Sequence, residues 1–146
     1  MNEELVLLCQ KIREEEMTCI VAQSDIVFSS KRFGVLPLVE LYQTNLWKTS
    51  QLFVLADKLL GKGAALFLIQ MGCFKEVYGR VVTEEAYHLL TEHKIKVHFD
   101  KIVPHILNRT KSDLCPIEKM AQYKSVEQFQ AYYDEIIDFY KKIGQL

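Results

Sequence analysis

Apolar residues recur at helical spacing near the start of the chain, where Leu5, Leu8, Cys9 and Ile12 stand among charged neighbours. That period predicts an amphipathic helix over residues 3 to 15 with the stripe turned to a core. The pattern then changes. Thr18 to Ala22 and Ile26 to Ser29 are short β-branched runs parted by Gln23-Ser24-Asp25, which predicts a β-hairpin with a polar turn. Gly34 and Pro37 punctuate the exit, and Leu36, Val39, Leu41 and Tyr42 support a short helix that tolerates Pro37 in its first turn. Asn45 to Ser50 reads as a loop.

Leu52 to Ala56 is a candidate buried strand, although so short an apolar run also suits the start of a helix. From Asp57 to Ile69 the chain is almost wholly apolar after a polar opening, which predicts a central helix ended by Gly72. Val77 to Val82 is the next strand. Thr83 then caps a helix with Glu84 and Glu85 in its first turn and Ala86, Leu89, Leu90 and His93 on its inner face. Lys96 to Phe99 makes another strand, followed by irregular chain holding Pro104, Asn108 and Arg109. Cys115-Pro116-Ile117-Glu118 reads as a helix start, with proline at the first helical position. The last helix begins at Ser125 with a capping box to Gln128 and an apolar face of Phe129, Tyr132, Tyr133, Ile136, Tyr140 and Ile143.

Strand-helix-strand repeats after a hairpin imply a mixed sheet, the hairpin antiparallel and the later strands parallel, covered by helices on both faces. No repeat or linker divides the chain, so residues 1–146 read as a single domain with a C-terminal helical extension from about residue 115. With 49% apolar and 25% charged residues, the composition is that of a folded globular chain.

Charge excludes one class of partner. Lys and Arg number 18 against 19 Asp and Glu, giving a net charge of −1 and no field to gather a nucleic-acid backbone. Cys9, Cys19, Cys73 and Cys115 lie far apart without CxxC pairing, as separate reduced thiols of a cytoplasmic protein would. The acidic opening Met1-Asn2-Glu3-Glu4 is unlike a secretory signal. The apolar runs are far shorter than the ~20 residues a bilayer demands, so no membrane contact is expected.

Several motifs in one order carry a resemblance: Phe33-Gly34 with Pro37-Leu38, Ala56-Asp57-Lys58 with Gly61-Lys62-Gly63-Ala64-Ala65, then Asn108-Arg109 and Cys115-Pro116-Ile117-Glu118. Together they resemble an uncharacterised prokaryotic family, domain of unknown function 1893, grouped with the cytidine-deaminase-like superfamily. The resemblance implies a three-layer α/β/α sandwich and no established reaction. Zinc deaminases need a His or Cys at one helix head, a Glu two residues on, and a PCxxC pair at the next head. Here the corresponding helices open with Gly61-Lys62-Gly63 and Thr83-Glu84-Glu85, no His-x-Glu occurs, and Cys115-Pro116 reverses the order and lacks its second thiol. Zinc-activated water chemistry is therefore not expected, and neither a metal nor a cofactor is.

The candidate chemistry rests on nine residues. Asp57 and Lys58 interrupt an apolar run, as a functional pair or as an exposed turn with Asp57 for a cap. Gly61-Lys62-Gly63 suits an anion at a helix N-terminus or close helix-sheet packing. Cys115 is a nucleophile, a redox sensor or an inert capping thiol, with Glu118 as acid-base partner. Asn108 and Arg109 stand in irregular chain, where Arg109 suits a carboxylate or phosphate or a loop-anchoring salt bridge. Two classes of function follow: a ligand-binding module for a small anionic or nucleotide-like molecule, and a metal-independent enzyme using Lys58 or Cys115. Trp47 and the tyrosine-rich last helix read as packing or homo-oligomer contacts. Both motif halves are expected to face one cleft, because ligands of parallel α/β sheets gather beyond the carboxyl ends of strands.

Overall fold

Side chains alternate across the central strands and so sort the apolar residues onto two faces of one sheet. The computed structural model describes the whole chain, residues 1–146. Its strands are β1 (Cys19–Gln23), β2 (Asp25–Ser30), β3 (Phe53–Leu60), β4 (Phe74–Thr83) and β5 (Lys96–Val103), in the sheet order β2-β1-β3-β4-β5. β1 pairs antiparallel with β2 and with β3, while β3 with β4 and β4 with β5 are parallel. The hairpin turns on Ser24 alone, whose φ of 67° lies in the left-handed region.

One face is covered by α1 (Glu3–Arg13), whose Leu5, Leu8, Cys9 and Ile12 bury against Ile20, Ala22, Val54, Ala56 and Tyr78. Its first turn is capped by Asn2, whose side-chain oxygen accepts from the Glu4 and Leu5 amides. Its last turn is clamped by Arg13, which donates twice to Asp100 at 3.0 and 2.8 Å, while the Tyr78 hydroxyl donates to the same carboxylate at 2.6 Å. The paired Arg13 guanidinium holds the Asp100 carboxyl below its ordinary range.

The opposite face carries the larger core, 28 buried residues, all but Val35, Cys73 and Ile95 from β1, β3 and β4, from α2 (Leu36–Thr44), α3 (Lys62–Met71), α4 (Glu84–Glu92) and α5 (Pro116–Ala121), and from α6 (Phe129–Lys142). α6 follows a 3-10 turn, Val126–Gln128, started by the Ser125–Gln128 capping box. Its Phe129, Tyr132, Ile136 and Tyr140 are buried, and Phe67 of α3 meets Phe129 edge-on with ring centroids 5.2 Å apart. The helices after residue 115 are thus built into this core.

One boundary differs from the sequence reading in a way that matters for the site. The predicted helix from Asp57 begins only at Lys62, and Asp57 to Leu60 extend β3. An apolar run alone does not choose between strand and helix; pairing does. Asp57 lies between Cys19 of β1 and Gly79 of β4, and Leu60 pairs with Val82. β5 likewise runs on to Val103, because β4 offers partners as far as Thr83.

Candidate functional site

The carboxyl ends of β3, β4 and β5, the start of β1 and the exit from β2 all lie at one end of the sheet. Around them opens a cleft of about 1110 Å³. β3 contributes Asp57, Lys58 and Leu59, β4 contributes Arg80 and Val81, and the segment after β5 supplies Ile106 to Thr110, Cys115 and Pro116. Glu15 and Thr18 border it before β1, and Arg32, Phe33 and Gly34 after β2. Four cationic side chains, Arg32, Lys58, Arg80 and Arg109, therefore share the cleft with two carboxylates, Glu15 and Asp57. Glu15 takes Arg80 at 3.3 Å and Lys58 at 3.9 Å, and Arg32 reaches outward to Glu40 at 3.5 Å. Arg109 has no carboxylate within ion-pair distance. Phe33 is 73% exposed, with the Lys58 ammonium 5.9 Å from its ring centre.

Asp57 is the chemically unusual member. It is only 5% exposed although it borders the cleft, and none of the four cations pairs with it. Its Oδ1 accepts from the Leu59 amide at 3.2 Å, and the buried Cys19 is its pairing partner on β1. Burial pushes the Asp57 carboxyl up to about 7, opposed by the Leu59 amide that donates to it and by the nearby polar groups of Lys58 and Cys19. Regular alternation puts Asp57 on the same face as Leu55, opposite Cys19, and the period-two pattern slips only beyond it, where Leu60 re-enters the larger core.

The second set of motifs closes on itself. Gly61, in extended backbone, precedes α3, and the amides of Lys62 and Gly63 donate to Glu118 Oε1 and Oε2, each at 3.0 Å. The anion at this helix N-terminus is thus the protein's own carboxylate. Close approach requires both glycines: a Cβ on Gly61 would overlap the Glu118 carboxylate, and one on Gly63 would stand 2.5 Å from the Tyr132 hydroxyl. Lys62 turns away to Glu85 at 3.4 Å and the Gln122 carbonyl at 3.1 Å. Burial raises the Glu118 carboxyl above its ordinary range, opposed by the Gly63 and Lys62 amides.

Of the nine residues singled out in the sequence, five meet at the cleft: Asp57, Lys58, Asn108, Arg109 and Cys115. Gly61, Lys62, Gly63 and Glu118 form the neighbouring helix cap, so the shared edge holds only part of the expected set. Asn108 serves its own loop, its side-chain oxygen accepting from the Ser112 amide at 3.1 Å. Glu15, Thr18, Arg32 and Arg80 are not among the candidates read from the sequence, and Phe33 stands there only as part of the Phe33-Gly34 motif. Arg80 left a signal, as a charge within an apolar strand pattern; Glu15 and Arg32 sit where charges are ordinary. No three His, Cys, Asp or Glu side chains gather in a group that could hold a metal ion.

Fold and cleft together define a mixed-sheet α/β protein with a cationic pocket at the carboxyl ends of its parallel strands. The chain belongs to the family described as domain of unknown function DUF1893, whose model matches residues 8–140. It is similar in structure to a DUF1893 family protein, TM1506, from Thermotoga maritima, with a TM-score of 0.75 and 23% identity over 94% of this chain and 91% of that one. No curated protein matches the sequence. No helix is long and apolar enough to cross a membrane.

Proposed function

We propose that the cleft binds a small anionic molecule, nucleotide-like in carrying a flat body beside its charge, on a three-layer α/β/α scaffold of cytidine-deaminase-like type. The observation that carries this reading is the lining: four cations against two carboxylates, with exposed Phe33 and an apolar floor of Leu59, Val81, Ile106 and Pro116. Cations suit a phosphate or carboxylate, and a ring face beside them suits a flat heterocycle. The volume is ample for such a ligand, small-molecule pockets being roughly 300–1,000 Å³. Its place beyond the carboxyl ends of parallel strands supports the same reading.

The test is a thermal-shift series with nucleoside monophosphates, their free nucleosides and small dicarboxylates. A ligand at 100 times its Kd stabilises the fold by about 2.7 kcal/mol. A shift for an anionic compound, lost in Lys58→Met, supports the reading; Lys58 is 42% exposed on its strand, so Met is compatible with the fold. No shift for any anion overturns it. The buried carboxyl of Asp57 and the partly exposed thiol of Cys115, on one cleft, favour a second reading as a metal-independent enzyme. Turnover of a bound compound would separate the two.

A further inference from the structure

Resting on the reading of the cleft as an anion site, we propose that Asp57 is its proton-exchanging group: an anion entering the cleft is taken up together with a proton on the Asp57 carboxyl. The geometry carries the argument. Every other charged side chain on the cleft has either an oppositely charged partner or open access to water, and Asp57 has neither. The charged and titratable groups around it are Lys58 on its own strand, Cys19 on β1, Arg80 beside its β4 partner Gly79, Glu15 after α1, Arg32 after β2, and Arg109 and Cys115 after β5. Lys58 and Arg80 already pair with Glu15. A ligand anion that draws these cations to itself leaves an ionised Asp57 as a buried like charge against it, and like charges in one site drive one of them to protonate. The proton comes from solvent and rests on the carboxyl oxygen. The raised Asp57 carboxyl, at about 7, places this exchange near neutrality. The same carboxyl is then positioned to return the proton to a ligand, which a binding module would use for pH-dependent release and an enzyme for acid catalysis.

Sulfate is the probe, because it does not titrate between pH 6 and pH 8. The protonated fraction of a carboxyl with a pKa near 7 falls roughly tenfold across that range, so sulfate affinity should fall by up to about tenfold. Calorimetry at pH 7 in buffers of different ionisation enthalpy should show about half a proton taken up per sulfate bound. In Asp57→Asn both the pH slope and the proton uptake should vanish. Should Asp57→Asn fail to fold, Cys19→Ala decides: it removes the polar thiol beside the carboxyl that favours its ionised form, and should move the midpoint of the pH dependence upward. Sulfate bound equally at both pH values, a slope that survives in Asp57→Asn, an unmoved midpoint in Cys19→Ala, or no sulfate binding at either pH overturns the proposal. The nucleotide series above judges the cleft itself independently.

Discussion

At the scale of single residues, burial decides which groups are chemically available. Cys9 and Cys73 are buried and burial pushes both thiols up to about 11, while Cys19 is raised as well; Cys115 alone is partly exposed, and it borders the cleft. Limiting iodoacetamide with mass-spectrometric mapping should label Cys115 first, since reaction needs an accessible thiolate; earlier labelling of Cys19 or Cys73 would contradict this. Asp57 gives a signed pH dependence. Its folded pKa is raised, so its contribution to stability is full below the unfolded value of about 3.9 and is lost as pH climbs through about 7. Asn cannot ionise, so denaturant melts should find Asp57→Asn gaining on the native protein by roughly 2–3 kcal/mol between pH 5 and pH 8. The residue types that make the cleft were legible in part. Asp57 stands out because a charge interrupts an apolar run, whereas nothing in the sequence around Thr18 or Arg32 says which way the hairpin ends face.

At the scale of elements, the hairpin, α1, α4 and the capping box at Ser125 were legible because each carries a local period or a cap. The β3–α3 boundary was not. Residues 57 to 60 are apolar enough for either state, and what holds them extended is pairing with β1 and β4, a non-local cause. Gly61-Lys62-Gly63 was legible as a helix N-terminus prepared for an anion, but the identity of that anion depends on α5, 55 residues further along. Gly61→Ala tests this joint. Its backbone is extended and open to any residue, so the whole cost lies in the clash with Glu118, about 1–3 kcal/mol as for other overpacked sites. Shortening the partner in Gly61→Ala/Glu118→Ala should recover part of that loss in a chemical melt; full additivity of the two losses would show that the residues do not meet.

At the scale of the whole molecule, the last helix is the surest dependency. Ending the chain at Lys124 would strip Phe129, Tyr132, Ile136 and Tyr140 from the larger core. Losing one such aromatic costs about 3–5 kcal/mol, and a domain commonly has only 5–15 to lose. The truncated chain should melt without a cooperative transition by circular dichroism, while a retained sharp transition would mark α6 as dispensable. Topology was legible here to the extent that alternating elements force parallel crossovers, yet the cleft joins five separate stretches of chain and no local pattern announces such a meeting. The carboxylate that Glu118 lends to α3 has a consequence for competition. A tethered group meets its site at an effective concentration in the millimolar range or above, without the translational loss a free ion suffers. Dissolved anions at cellular levels are outcompeted there from the moment the chain folds, so the helix end best suited to a phosphate is the one from which the protein shuts phosphates out.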